Sequence, residues 1–285
     1  MGLFDLFKKK NTTSEPQSQP TFSPNEPQMQ FVSLFYENQP SVSKEDILAE
    51  LNKRFSTVKS SENEKSLSFY FPEYTVNFEE GEVPAQGNIM ISEGAINFER
   101  FTSTLRQAWD WEEAEESLKK STVEINLFDF MSRGLNYQKR LEYFQKFVLS
   151  VVNATQPTAI YFRNSDKLIN PGAFLDLCEG EQGAFLYGSM NVRMYNVSDG
   201  DGGFLMDTVG LHAFGLPDFE CRFKNYQPND IAQVLHNIAY YTFDAGDIFR
   251  SNSTVQGIGE NPVWKTNRKE AKVKPERMLI ELIPN

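Results

Sequence analysis

Segments in which apolar and polar residues alternate are separated along this chain by segments whose apolar residues recur every three or four positions. Alternation is typical of half-buried strands, and the longer period is typical of amphipathic helices. In the first 120 residues the pattern predicts strands at 31–36, 66–71, 74–79 and 88–92, with Pro72 separating the second from the third. It also predicts a helix that starts after Ser43 and a long helix from residue 97 to residue 120.

The second half of the chain continues this mixture. The pattern predicts strands at 123–128 and 158–162 on either side of a helix at 136–153. This order of elements favours a parallel pair of strands joined by a crossover helix. Further strands are predicted at 184–187, 190–197, 204–209, 219–223 and 278–283, and a last helix at 228–246.

Together these elements predict an α+β fold with a mixed sheet and helices mainly on one side. We predict two α+β subdomains, at residues 31–120 and 121–285, that meet near Ser121. Residues 11–30 are rich in Ser, Pro, Gln, Asn and Thr, and they cannot bury enough surface to offset the entropy lost on ordering. Residues 1–30 are therefore predicted to form a flexible tail and linker.

The composition is that of an acidic globular chain, with 40% hydrophobic residues and a formal net charge of −11. A negative chain repels phosphate groups at long range, so we expect neither nucleic acid nor an anionic membrane as a partner. Leu3, Phe4, Leu6 and Phe7 would line one face of a short terminal helix, which makes only a weak membrane anchor. The first residues lack the apolar core of a secretion signal, which predicts a cytoplasmic protein.

Few residues have the spacing of a metal or redox site. Cys178 and Cys221 lack such a spacing and are expected to be buried, reduced thiols. Asp199 and Asp201 faintly resemble a calcium loop without its closing Glu, so a hairpin turn is the favoured interpretation. We expect no cofactor and no metal. Residues 265–277 include six basic residues, which indicates a solvated loop or a docking patch for an acidic partner.

His212 is the main candidate for chemistry. It lies between two glycines and is close in sequence to Asp218 and Glu220. A histidine beside carboxylates can act as a general base or a metal ligand, although a metal site normally needs three protein ligands. The other histidine, His236, is predicted to be a core residue of the last helix.

The segment around His212 carries a motif that resembles a known family. The matching residues of the Thr-Gly…Gly-x-Pro-Asp-x-Glu motif are Thr208, Gly210, Gly215, Pro217, Asp218 and Glu220. This segment is similar to a bacterial family catalogued as a domain of unknown function, number 4261, and the resemblance extends roughly over residues 31–259. It implies a bacterial, cytoplasmic setting and no known cofactor, and it brings no established activity. In physical terms, the glycines permit tight turns and Pro217-Asp218 starts a strand.

Two classes of function follow from these residues. The first is a protein that binds a protein partner without catalysis, for instance an immunity-like or stress-related protein. It is favoured because the chain is well patterned for folding and has no catalytic constellation. The alternative is a hydrolase or metal-dependent enzyme centred on His212, Asp218 and Glu220, which requires these side chains to converge in one pocket.

Overall fold

The computed structural model describes residues 25–63, 66–92, 94–179, 184–198, 202–259 and 262–284. These residues form an α+β fold, as predicted, with thirteen strands and six α-helices in the described ranges. The chain divides into two compact units: the N-terminal unit is Pro27–Asn191, and the C-terminal unit contains Val192 and the residues after it. The division therefore falls at Asn191 and not near Ser121, where the sequence pattern placed it.

The N-terminal unit is built on a seven-stranded sheet in the order β2-β3-β4-β5-β1-β6-β7, and each neighbouring pair is antiparallel. The strands are β1 (Phe31–Tyr36), β2 (Lys59–Glu62), β3 (Ser66–Phe78), β4 (Gly81–Ile91), β5 (Val123–Phe130), β6 (Ala159–Phe162) and β7 (Lys167–Ile169). The helices are α1 (Lys44–Leu51), α2 (Thr102–Leu105), α3 (Ala114–Lys120), α4 (Tyr137–Thr155) and α5 (Pro171–Glu179).

Helices pack on both faces of this sheet, with the longer helices α1, α4 and α5 on one face and the short α2 and α3 on the other. Ile125 and Leu127 of β5 belong to the large core cluster that contains the buried stripes of α1 and α4. Phe35, from the opposite face of β1, packs in a second cluster with Phe101 and with Leu118 of α3. Successive residues of a strand point to opposite faces of the sheet, and β1 carries apolar residues on both faces. Each face of β1 therefore contributes to its own core cluster.

The predicted long helix at 97–120 is broken into a 3-10 helix at Phe98–Phe101, followed by α2 and α3. Trp109 is 53% exposed whereas Trp111 is buried in the second core cluster. Residues 106–113, which include both indoles, form turns and not helix, so the chain changes direction between α2 and α3. Pro72 likewise does not end a strand: β3 is continuous, with a register shift between Phe71 and Thr75.

The predicted parallel pair around α4 is also corrected. Both β5 and β6 run antiparallel to β1, so they are parallel to each other, but β1 lies between them. The crossover through α4 therefore spans one intervening strand, β1, whose pairing with β5 joins residues between 87 and 97 positions apart in the sequence. The strand predicted at 184–187 is a turn.

The C-terminal unit contains a six-stranded sheet in the order β11-β12-β13-β10-β9-β8. Its elements are β8 (Asn191–Val197), β9 (Gly203–Val209), a 3-10 helix (Leu211–Phe214), β10 (Asp218–Phe223), α6 (Pro228–Ala245), β11 (Thr254–Gln256), β12 (Val263–Glu270) and β13 (Met278–Ile283). β10 and β13 are parallel, β9 is antiparallel to β10, and β12 is antiparallel to β11 and β13. The last helix and the strands 190–197, 204–209, 219–223 and 278–283 were predicted to within a residue or two.

The two faces of this sheet differ in chemistry. On one face, Phe219 packs edge-on against Phe249, which follows α6, and α6 itself contacts β9 and β10. On the other face, Asp207, Glu220 and Glu281 stand opposite one another on β9, β10 and β13. Three adjacent acidic positions need cations when they are withdrawn from water, and the cations define the candidate site.

Candidate functional site

The loop between β9 and β10 is shaped by its two glycines. Gly210 has φ +131° and Gly215 has φ +85°, both in the region that favours glycine. Between them the 3-10 helix holds His212, whose carbonyl accepts a hydrogen bond from the Gly215 N–H at 3.0 Å. The glycines therefore do what the motif suggested: they turn the chain sharply so that His212 comes back over the start of β10.

Asp218 is the centre of the cluster and is fully buried. Its Oδ1 accepts hydrogen bonds from Thr208 Oγ1 and from the Leu211 N–H, both at 3.1 Å. Its Oδ2 faces three donors: the His212 N–H at 3.3 Å, His212 Nδ1 at 2.8 Å and Arg277 Nε at 3.0 Å. Five donors around one carboxylate favour its ionised form.

The ionisation of Asp218 decides whether Nδ1 of His212 carries a proton. Burial on its own would raise the pKa of Asp218, but the hydrogen bond from His212 and the charge of Arg277 hold this pKa below its ordinary value. An ionised carboxylate only accepts, so His212 Nδ1 carries the proton of the 2.8 Å bond. The Gly210 N–H, 3.3 Å from the same nitrogen, is then only a close neighbour. Among the described residues, Nε2 of His212 has no hydrogen-bond partner.

Arg277 joins Asp218 to a second buried carboxylate. Its Nη2 donates to Asp207 Oδ2 at 2.6 Å and to the Thr208 carbonyl at 2.9 Å, and its Nη1 donates to the carbonyls of Val273 and Pro275 at 2.8 Å. All five N–H groups of the guanidinium can thus be used, counting the Nε bond to Asp218.

Arg193 completes this group by a bidentate contact with Asp207. Its Nε lies 3.0 Å from Oδ1 and its Nη2 lies 2.6 Å from Oδ2. We refer to Arg193, Asp207, His212, Asp218 and Arg277 as the buried charge cluster. Its members tie β8, β9, β10 and the segment before β13 to one another.

Glu220 does not join His212 and Asp218. Its Oε1 pairs with Lys269 Nζ at 2.6 Å, and Lys269 also pairs with Glu281 at 2.7 Å. Burial on its own would lower the pKa of Lys269, but the hydrogen bonds to Glu220 and Glu281 raise this pKa above its ordinary value. Of the three residues proposed for catalysis, the structure therefore brings two together and places the third in a separate ion pair, where its buried Oε2 has no partner among the described residues.

The basic segment at 265–277 was predicted as a solvated loop or a docking patch, but half of it is a strand and several of its basic side chains form ion pairs within the chain. Its first half forms β12, Lys269 pairs with Glu220 and Glu281, and Arg268 pairs with Asp247. Arg277, from the same segment, is a member of the buried charge cluster. The acidic partner of these three residues is thus the chain itself. Arg193 was missed altogether; the available signal was the set of acidic residues in apolar strands, which requires buried cations.

The buried charge cluster predicts a loss of stability in acid. Because the pKa of Asp218 is lower in the folded chain, its contribution is complete above the unfolded pKa, near 3.9, and is lost as the pH falls through the folded pKa. We expect the free energy of unfolding to fall below about pH 4, and to fall less steeply in Asp218→Asn. Urea unfolding midpoints between pH 2.5 and 6 measure both curves; parallel curves would contradict this assignment.

A groove lies at the opposite end of the same strands. It has a volume of about 870 Å³, and its lining residues are Gly202, Gly203, Arg222, Phe223, Lys224, Asn225, Tyr226, Ile258, Gly259, Glu281, Leu282, Ile283 and Pro284. Because β10 and β13 are parallel, their carboxyl ends meet at this edge. Asp218 starts β10 and Arg222, which lines the groove, is four residues further on, so Asp218 is about 13 Å along the strand from the groove.

The other residues that the sequence analysis singled out lie outside the buried charge cluster and the groove, or outside the described residues. His236 is exposed and stacks on Tyr240, so it is not a core residue; it follows Leu235 and so lies off the buried stripe of α6. Both cysteines are free, but only Cys221 is buried, whereas Cys178 is partly exposed. Asp199, Asp201 and residues 1–24 lie outside the described residues, whereas Asn25, predicted as linker, bonds to the backbone of Leu216 and Met278.

Two kinds of feature are absent from the described residues. No group of three or more His, Cys, Asp or Glu side chains there is arranged to hold a metal ion. No helix among them has both the length and the apolar composition for crossing a bilayer.

Comparison with known proteins identifies one family. Residues 207–283 match the family described as Domain of unknown function (DUF4261). The match starts at Asp207 and continues through β13, so it is shorter at its N-terminal end and longer at its C-terminal end than the predicted range of 31–259. It contains most of the buried charge cluster and much of the groove lining. No curated protein and no solved structure matches the chain.

Proposed function

We propose that the C-terminal unit is a non-catalytic module that binds a segment of a partner protein in the groove at the carboxyl ends of β10 and β13. In this proposal the buried charge cluster maintains the fold, and it does not react with a substrate. A bacterial, cytoplasmic setting is proposed on the family resemblance, and an immunity-like or stress-related role is one version of this binding hypothesis.

The observation that carries the proposal is that the groove lies apart from His212 and Asp218, the two candidate catalytic residues that the structure brings together. His212 is 2% exposed and Asp218 is fully buried. A general base must reach the proton that it abstracts, directly or through one water. None of the five cluster residues lines the groove, whose volume of about 870 Å³ has room for a peptide segment.

The lining of the groove suits a protein ligand. Tyr226 supplies aromatic surface, Ile258 and Ile283 supply aliphatic surface, and Arg222 adds a guanidinium group. Aromatic residues and arginine are enriched in the parts of protein interfaces that contribute most to affinity. The mixture of apolar and charged groups favours a peptide segment over a purely apolar ligand.

The test compares two isoleucines of similar exposure. Ile283 lines the groove and is 41% exposed, whereas Ile248 is 47% exposed and is not part of the lining. Affinity capture from a native lysate is carried out with the wild type, with Ile283→Asp and with Ile248→Asp, each first shown to be folded. We expect a partner that is recovered by the wild type and by Ile248→Asp, and at least tenfold less by Ile283→Asp.

Two results would reject the proposal. One is equal recovery of every partner by the two aspartate variants. The other is turnover in a panel of ester, amide and phosphate substrates that disappears in His212→Leu while that variant remains folded.

A further inference from the structure

The C-terminal unit also holds a short piece from the beginning of the chain. Asn25 and Glu26 belong to this unit, whereas Pro27 starts the N-terminal unit. The Nδ2 of Asn25 donates to the carbonyl of Leu216 at 2.8 Å and to that of Met278 at 3.0 Å, and its Oδ1 accepts from the Met278 N–H at 2.8 Å. Three hydrogen bonds therefore fix the chain beside the starts of β10 and β13.

The groove is within reach of the residues that precede Asn25. Met278 starts β13 and Ile283, which lines the groove, is five residues further on, so the two are about 17 Å apart along the strand. Phe7 is eighteen residues before Asn25. A coil of that length spans on the order of 25 Å, and a fully extended chain spans about 60 Å. Residues 1–10, which we call the N-terminal segment, can thus reach the groove while Asn25 stays bound.

The N-terminal segment suits the groove lining in chemistry. Its large apolar residues after Met1 are Leu3, Phe4, Leu6 and Phe7. One acidic residue, Asp5, stands in their middle, and a run of three lysines follows them. The groove lining has an apolar part, with Tyr226 and Ile283, and a basic part, with Arg222 and Lys224. An apolar segment with a central carboxylate complements both parts.

We propose that residues 3–7 occupy the groove in the free protein and that a partner segment must displace them. This inference rests on the proposed function, because it gives the same groove an internal ligand that competes with the external one. A tether of this length gives an effective concentration on the order of 1 mM. A segment with an intrinsic Kd of about 0.1 mM then fills the groove roughly 90% of the time and weakens a competing ligand about tenfold.

The test is a peptide-binding measurement on the full-length protein. A fluorescent peptide with the sequence of residues 1–10 is the probe, and its anisotropy gives the Kd. The variant Phe4→Asp/Phe7→Asp, called the segment variant, removes the internal competitor and leaves every described residue unchanged. We expect it to bind the peptide about tenfold more tightly than the wild type does, because nothing competes for its groove.

Two further variants assign the binding to the groove. Ile283→Asp, made in the segment variant, should weaken peptide binding at least tenfold. Ile248→Asp should not change it, because Ile248 is similarly exposed but does not line the groove. Urea unfolding first establishes that each variant is folded. The inference is overturned if the wild type and the segment variant bind the peptide equally, and also if the two aspartate variants have the same effect.

Failure of this inference differs from failure of the proposed function. If affinity capture of a partner depends on Ile283 and peptide binding does not, the groove binds a partner and only the internal ligand is rejected. If peptide binding depends on Ile283 and capture does not, the internal ligand stands and the partner is rejected. If neither depends on Ile283, both are rejected.

Discussion

Replacing Arg277 by leucine is expected to lower the free energy of unfolding of the C-terminal unit by about 3–5 kcal/mol. Arg277 is fully buried and donates to both Asp207 and Asp218. Its removal leaves two buried carboxylates with fewer hydrogen-bond donors and no guanidinium charge beside them. The cost of these uncompensated buried charges is larger than the net stabilisation that the ion pairs provided. Hydrogen exchange of the β10 amides measures the loss in the unit concerned.

Two further variants of the same basic segment distinguish the loss of the buried hydrogen bonds of Arg277 from the loss of one positive charge. Lys272 is exposed, so Lys272→Leu is expected to change the free energy of unfolding by no more than about 0.5 kcal/mol. Arg277→Lys keeps the charge but loses the planar fork of donors, so we expect an intermediate loss. If Arg277→Leu and Lys272→Leu have the same effect, the buried charge cluster does not stabilise the fold.

Replacing Trp264 by alanine is expected to cost about 3–5 kcal/mol and to disturb the groove. Trp264 is completely buried, and Tyr226 of the groove lining packs on it edge-to-face with ring centres 5.4 Å apart. The indole also occupies the space beside Gly257, where a methyl group would overlap it. Its removal leaves a cavity beneath Tyr226, which lets that part of the groove move.

Trp109 provides the matched control for this variant. It is 53% exposed, and its Nε1 donates to the Arg106 carbonyl at 3.2 Å. Trp109→Ala is expected to cost less than about 1 kcal/mol, since it buries little surface and creates no internal cavity. Urea unfolding of both variants measures the difference; equal losses would show that Trp264 does not support the C-terminal unit.

The elements that were predicted correctly are those with a strong local period. The apolar residues of α4 and α6 recur along nineteen and eighteen residues, and β13 is an apolar run that only Glu281 interrupts. The helix at 97–120 failed because its apolar period continued through Trp109, whose side chain remains exposed. The short strands β2, β7 and β11 carry too few residues to show any alternation, and they form by pairing with neighbours.

The candidate site was predictable only where its residues are close in sequence. His212 and Asp218 are six residues apart on one turn, and the glycines and carboxylates of that turn are visible in the sequence. Arg277 is 59 residues from Asp218 and meets it because β13 pairs in parallel with β10. No local pattern contains that register. The groove depends on the same register and was not predicted.

His212→Leu is the most direct test of the account, because its effect on stability has opposite signs for the two roles considered. A residue that maintains the fold loses stability when it is replaced, and here Asp218 would lose a buried donor at a cost of about 1–3 kcal/mol. Reactive centres are often strained, and replacing their residues tends to leave stability unchanged or higher. Urea unfolding at pH 7 should therefore show a lower midpoint for His212→Leu than for the wild type. A midpoint equal to or above that of the wild type would contradict a purely structural role for the imidazole.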